Sequence, residues 1–186
     1  MMPEIAIHLG KDVKQGAVVM ALKRLSEELD FKINYKISKV LKNIGEITVR
    51  SSLTDYTFVI SDTLLENQAN LLTEINKLQD IFYTSSRGVN ETNIVTSSSI
   101  STIIETLFKA ERLTHKIENL SSITVKLPQE NISTPGVYYY IFQRLAWEGI
   151  IIHEVISTTN EFTIIVSDDQ IDVAFKVIKG LKNVYD

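Results

Sequence analysis

ITVKLPQENISTPGVYYYIFQRLAWEGIIIHEVISTTNEFTIIVSDDQIDVAFKVI, residues 123–178, runs through five hydrophobic patterns in order, and that order decides the fold. Ile123-Thr-Val-Lys-Leu127 alternates as a half-buried strand does. Gly136 to Trp147 places Val137, Ile141 and Leu145 on one stripe, widened by Tyr138 and Phe142, which is helical spacing. Gly149 stands where a residue just past a helix end would stand. Ile150 to Ser157 reads as a strand, Thr158-Thr159-Asn160 as a hairpin turn, and Phe162 to Val166 as the return strand. Asp168 or Asp169 then caps a helix carrying Ile171, Ala174, Phe175 and Ile178.

The same order recurs about seventy positions earlier. Asn90-Glu91 precedes Thr-Asn-Ile-Val-Thr-Ser as Asn160-Glu161 precedes Phe-Thr-Ile-Ile-Val-Ser, an offset of 160 − 90 = 70. Leu71, Leu72 and Ile75 fall on Ile141, Phe142 and Leu145 at that offset. With one residue inserted, Ile104 and Leu107 fall on Phe175 and Ile178. A period this long suits a duplicated small domain rather than a solenoid repeat. Strand–helix–strand–strand–helix predicts an α+β fold of two ferredoxin-like βαββαβ units, each an antiparallel sheet with two helices on one face. The expected division is a short helical segment over 1–44, a first unit over 45–120 and a second over 121–186. His115 to Leu120 could close the first sheet. Only Lys182-Asn-Val-Tyr-Asp186 is left to close the second, so its edge is expected to be completed by another copy or another chain.

Composition narrows the function. The chain has 186 residues, 44% of them apolar, enough for one ordinary domain or two small cores. A net charge of −4 supplies no general basic field for nucleic acid or an anionic membrane. No cysteine is present, which excludes a disulfide framework, thiolate metal sites and a cysteine nucleophile. No apolar run approaches the ~20 residues that span a bilayer, and the first residues lack a signal-peptide pattern. A cytoplasmic location is the expectation. At the N-terminus, Pro3 to Leu9 reads as helix, Gly10-Lys11-Asp12 as a turn and Val13 to Leu29 as a second helix, with Val18, Leu22 and Leu25 facing a core. A helix opening on the first residues suggests that a segment has been lost ahead of it.

The quoted stretch resembles an ACT domain of the aspartokinase type. The residues that carry the likeness are Pro135-Gly136 before the helix, Gly149-Ile150 after it, Ser157-Thr158-Thr159-Asn160-Glu161 at the hairpin, and Asp168-Asp169 after the last strand. They span about a third of the chain. The first copy, Glu46 to Leu113, is similar mainly through the repeat; it lacks the Pro-Gly, and Asp55-Tyr-Thr-Phe58 reads as its loop. The N-terminal helices resemble the end of a helix-turn-helix fused to ACT pairs in some regulators of amino-acid metabolism. The resemblance implies an amino-acid-sensing module that binds a small effector at ACT interfaces and dimerises. An alternative from another class is a dimerisation or interaction platform of a transcription regulator with no ligand of its own. A third is an aspartokinase-like chain that lacks the kinase lobe, since nothing here resembles that lobe. Nucleic acid would be contacted only through the missing N-terminal segment, and no membrane contact is implied.

Elementary chemistry shows why such a loop suits an effector. Unpaired N–H groups at a helix start, where the dipole is positive, favour a carboxylate. The expected binding residues are Ser133, Thr134, Pro135, Gly136 and Val137 around the carboxylate, with Ser157, Thr158 and Glu161 towards the other end. Gly136 allows close approach and is expected to lie in an exposed loop that tolerates bulk; Pro135 sets the loop's path. Taken alone, Pro135-Gly136 is also an ordinary helix-entry turn, Ser157–Thr159 an ordinary hairpin, and Glu161 a solvated glutamate. Of Tyr138, Tyr139 and Tyr140, which point ~100° apart on a helix, one or two pack and another faces a partner. Trp147 reads as core or interface. The serine run Ser97 to Ser101 reads as helix capping, and Arg87-Gly88 as a turn. His8, His115 and His153 have no ligand spacing, so no metal is expected. Walker, dinucleotide and nucleophile-elbow motifs are absent, so no catalytic residue, no cofactor and no enzyme activity are expected.

Overall fold

The computed structural model describes residues 14–183. The helix expected over Pro3 to Leu9 and the turn after it lie outside the described residues. The fold is α+β. Six antiparallel strands form one sheet in the order β2-β3-β1-β4-β6-β5. They are β1 (Ile47–Val59), β2 (Tyr83–Arg87), β3 (Glu91–Ser97), β4 (Leu113–Lys126), β5 (Glu154–Ser157) and β6 (Glu161–Ser167). The α-helices among the described residues are α1 (Gln15–Lys42), α2 (Leu64–Ile75), α3 (Ser101–Leu107), α4 (Val137–Trp147) and α5 (Ile171–Gly180).

The seventy-residue offset survives in the backbone. β3 and β6 begin at Glu91 and Glu161 and end at Ser97 and Ser167, and α3 and α5 begin at Ser101 and Ile171. No inserted residue is needed: Ile104 and Phe108 match Ala174 and Ile178, all four buried. The first helices are out of step instead, because α2 opens at Leu64 and α4 at Val137. Leu71 and Ile141 are nevertheless both fully buried at the seventy-residue offset, while Leu72 is exposed and Phe142 packs half-buried against the core. Asp55-Tyr-Thr-Phe58 is not a loop but the centre of β1, with Tyr56 and Phe58 in the core.

β1 and β4 are long because each serves both halves of the sheet. The second part of β1, Leu53–Val59, pairs with β3, while Asp55 to Phe58 pair with Leu113 to Ile117 of β4. The second part of β4, Leu120–Lys126, pairs with β6, while Ser122 to Val125 pair with Ile47 to Arg50 of β1. The edge expected to fall to Lys182–Asp186 or to another chain is therefore closed from within, by the first residues of β1. Leu181–Asn183 is a 3-10 turn, not a strand. The register shifts where the two roles meet, and there Ser52 and Asn119 both adopt φ of 58°. A left-handed residue in each strand lets the ladder bend without breaking, and Asn tolerates that region better than most.

Two apolar clusters lie under the helices. Tyr56, Phe58 and Ile94 meet Leu64 and Leu71 of α2 and Ile104 of α3. Ile123, Val125, Phe162 and Ile164 meet Val137, Ile141 and Leu145 of α4 and Ala174 and Ile178 of α5. α1 joins this second cluster through Ile37, Val40 and Leu41, followed by Ile44 just past its end, all at helical spacing. It is longer than the sequence suggests, running past Leu29 to Lys42. On the opposite face Leu53, Val95, Leu120 and Ile165 form a third cluster. Leu53 and Leu120 are cross-strand partners, so this face, which is helix-free among the described residues, is continuous between the halves.

The helix ends follow their chemistry unevenly. Gly149 takes φ of +71° and its neighbour Ile150 donates N–H to the Leu145 carbonyl at 3.1 Å, the closure a left-handed residue permits. β5 then begins only at Glu154, later than expected. No side chain caps α3 or α5. Asp168 instead accepts a hydrogen bond from the Ser121 hydroxyl. Ser97 and Ser98 likewise bond to the Phe82 N–H and the Thr54 hydroxyl, not to a helix start.

Candidate functional site

The loop into α4 is shaped by its own carbonyls. Gln129–Ser133 makes a 3-10 turn, and the Glu130 carbonyl accepts the Ser133 hydroxyl at 3.2 Å and the Thr134 hydroxyl at 2.8 Å. Gly136 takes φ of +90°, a region open to glycine and costly to a β-branched residue. A methyl group there would lie 3.1 Å from Ile37 Cδ1. The expectation that Gly136 tolerates bulk is therefore corrected: α1 packs over it, and a valine would be strained and would press on α1.

Between α1 and this loop lies a cleft of about 230 Å³, lined by Lys36, Lys39, Val40, Asn43, Glu130, Ser133 and Thr134. Its cationic wall is Lys36 and Lys39, one helical turn apart on α1 and both exposed. Sequence reasoning missed these two lysines because it ended α1 at Leu29. The signal was present: the stripe Ile37, Val40, Leu41, Ile44 extends the helix and turns Lys36 and Lys39 away from the core.

The remaining predicted residues are brought near by other links. The Tyr138 hydroxyl and the Ser157 hydroxyl lie 2.8 Å apart, and Asn131 Nδ2 donates to Tyr138 at 3.4 Å. Tyr138 also stacks on Phe162 at 5.0 Å, which fixes its ring. Ser157, at the end of edge strand β5, is thereby tied to the first turn of α4. Thr158 and Glu161 bond to each other instead: the Thr158 N–H donates to the Glu161 carbonyl at 2.9 Å, and the Glu161 N–H to the Thr158 hydroxyl at 3.2 Å. Pro135 is exposed and Val137 is buried. Tyr139 and Trp147 are both about two-thirds exposed, at 66% and 67%, so Trp147 is not a core residue; the Arg144 guanidinium lies 5.6 Å from its ring centroid.

The corresponding helix start in the first half is built differently. The Glu111 carboxylate accepts the Ser61 hydroxyl at 2.5 Å, the Thr63 hydroxyl at 2.7 Å and Asn67 Nδ2 at 2.7 Å, all at the beginning of α2. Burial pushes its pKa up, but these three donors outweigh burial and hold it below the ordinary 4.5. Ser61 also accepts the Leu64 N–H at 3.1 Å. A carboxylate from the chain itself thus sits at this helix start, whereas before α4 Glu130 shares the cleft with Lys36 and Lys39.

The helix-free face carries buried charge. Asp55 is 5% exposed and accepts Asn93 Nδ2 at 2.5 Å. Burial raises its pKa, while the Asn93 bond and the charge of His115 pull the other way. Glu154 on β5 is raised too, first by burial and then by the charge of Asp55. His153 reaches Ser167 at 3.1 Å. Among the described residues no group of three His, Asp or Glu side chains could hold a metal ion, and no helix is long and apolar enough to cross a membrane.

Solved structures share this architecture. The ligand-free regulatory subunit of aspartate kinase from Thermus thermophilus superposes with a TM-score of 0.59 at 9% identity, covering 74% of this chain and 97% of that one. Aspartate kinase from Clostridium acetobutylicum gives a TM-score of 0.62 at 16% identity, over 75% of this chain and 35% of that one. E. coli aspartokinase III in complex with lysine and aspartate gives 0.54 at 14% identity, over 77% and 33%. The fold is that of aspartate kinase regulatory regions. The chain spans nearly the whole of the stand-alone regulatory subunit but only about a third of the complete kinases. No family model and no curated protein matches the sequence.

Proposed function

We propose that this chain is an amino-acid-sensing regulatory module of ACT type, with two ACT units of which the second is closed by the first residues of β1, and not an enzyme. The observation that supports it most is the cleft where Ser133 and Thr134, before the start of α4, face Lys36 and Lys39 of α1. Two ammonium groups and a helix start suit a carboxylate. Ser157, Thr158 and Glu161 do not line this cleft, so they would contact an effector only where β5 meets a second copy. Among the described residues edge strands β2 and β5 have one free side each, which favours such pairing. The likeness to an aspartokinase solved with lysine and aspartate supports an amino acid as the effector class. Dimerisation and a cytoplasmic location belong to the same reading.

The experiment is a thermal-shift screen of the common amino acids on the whole chain, since a ligand selective for the folded state raises its melting temperature. At least one amino acid is expected to do so, with the shift reduced in Lys36→Glu/Lys39→Glu. A flat screen would instead favour the second reading, a ligand-free interaction platform, to which the same open edges and the exposed Val19, Leu22 and Leu25 on α1 would belong.

A further inference from the structure

α1 carries an apolar side that the cleft at α4 does not use. The helix runs from Gln15 to Lys42, ~42 Å at 1.5 Å per residue, yet only Ile37, Val40 and Leu41 near its end join an apolar cluster. Among the described residues no cluster takes in an earlier position of α1. Val18 is buried, but Val19, Leu22 and Leu25 are each at least half exposed, although the sequence predicts a core for Leu22 and Leu25.

These residues are not scattered over the helix surface. Val18, Leu22 and Leu25 recur at steps of four and three, and in the sequence Leu29 continues the spacing. That alternation belongs to helices that pair with other helices. Val19 and Leu22 stand eighteen residues, five full helical turns, before Ile37 and Val40, so they lie on the side of α1 that enters the core further along. A stretch of helix with no packed face is marginal in water, because most helical stability in proteins comes from burying such a face. Charge along the stretch is also split. Lys23 and Arg24 precede Leu25, while Glu27, Glu28 and Asp30 follow it. A second α1 laid antiparallel, with a two-fold axis near Leu25, sets the basic end of one stretch beside the acidic end of the other. A parallel copy would set like charges level with each other.

We propose that α1 is a pairing helix, whose Val19, Leu22 and Leu25 side packs antiparallel against the same side of α1 in a second copy of this chain. The two-fold arrangement closes on itself, so it gives a dimer and not a filament. The surface is distinct from edge strands β2 and β5 and from the α4 cleft, and the pairing holds whether or not an amino acid binds.

The test uses the whole chain. Sedimentation velocity at ~50 μM is expected to show a dimer, as an association of micromolar strength or better requires. Leu22→Glu/Leu25→Glu should raise the dissociation constant at least about tenfold. Near-ultraviolet circular dichroism should stay unchanged in that variant, since neither side chain belongs to a core cluster. Lys23→Glu/Arg24→Glu should weaken the dimer, and adding Glu27→Lys/Glu28→Lys should restore it. The chain has no cysteine, so single cysteines report the orientation. Leu25→Cys, near the axis, is expected to form a disulfide-linked dimer on mild oxidation. Val19→Cys is not: six residues from the axis, it lies ~18 Å along the helices from its copy in the partner, beyond the ~7 Å between Cα atoms that a disulfide allows. A monomeric wild type at ~50 μM, or unchanged affinity in Leu22→Glu/Leu25→Glu, overturns the proposal. Crosslinking of Val19→Cys as efficient as that of Leu25→Cys, or no restoration by the second charge reversal, overturns the antiparallel arrangement.

Discussion

The starts of α2 and α4 occupy equivalent places in the two halves and are furnished in opposite ways. At α2 the chain supplies its own anion: Glu111 is gripped by Ser61, Thr63 and Asn67. At α4 the equivalent stretch after the last helix offers Leu181, which is buried in the apolar cluster, and the loop faces Lys36 and Lys39 across a cleft. A helix start favours negative charge in both places. In one half three donors hold a carboxylate at the helix start; in the other two lysines and Glu130 line a cleft with room beside them. Elements that match at one offset therefore differ in the charges around them, while the ladder that holds them stays the same.

The largest expected effect tests whether α1 belongs to the second half. Leu41 is fully buried among Ile123, Val137 and Ile141. Leu41→Ala should cost about 3 kcal/mol by chemical denaturation, the usual cost of a large-to-small change in a packed core. A loss under ~1 kcal/mol would show that α1 is not part of that core, and that the lysine wall is not fixed against the loop.

Glu111→Gln should cost about 1 kcal/mol at neutral pH, because it weakens three charge-assisted bonds that are partly exposed to water. The sign follows from the lowered pKa. The carboxylate's contribution is present above its ordinary 4.5 and is lost as pH falls through the lower folded value. Wild type and variant should converge in stability on acidification. A constant gap across that range would mean that the shape of Glu111 matters and its charge does not.

Asp55→Asn should act in the opposite direction and by a smaller amount, raising stability by up to about 1 kcal/mol near neutral pH. Burial holds the folded pKa above its ordinary 3.8, so the favourable contribution exists below that value and is lost as pH rises through the folded one. The asparagine keeps an oxygen for Asn93 and removes a buried charge beside Glu154. Melting curves that match at acidic pH and separate above it are the expected result; destabilisation at neutral pH would show that His115 more than offsets burial.

Much of this was legible in the sequence because it is written locally. The Asn90-Glu91 and Asn160-Glu161 turns fix two hairpins at one offset, and the stripe Val137, Ile141, Leu145 fixes α4. What was not legible depends on partners distant in the chain. Nothing local to Ile47–Arg50 says that it closes a sheet with Ser122–Val125, since an alternating strand reads the same at either role. Glu111 looks like any loop glutamate until Ser61 and Asn67, some fifty residues earlier, fold against it. Gly136 looked free because Ile37 lies a hundred residues away. Of the eight expected binding residues, Ser133 and Thr134 stand in the cleft, and the hairpin residues Thr158 and Glu161 bond to each other. Side-chain roles at a site depend on tertiary proximity in a way that strand order does not.

The central claim is that the second half reads a free amino acid through the lysine-lined cleft at α4. It is tested most directly by calorimetric titration of the amino acid that gives the largest thermal shift into two proteins. One is the unaltered chain and the other carries Lys36→Glu/Lys39→Glu. The account predicts binding to the first and a loss of at least about tenfold in affinity in the second, from reversal of two charges facing a carboxylate. Equal affinity in the two proteins would contradict it.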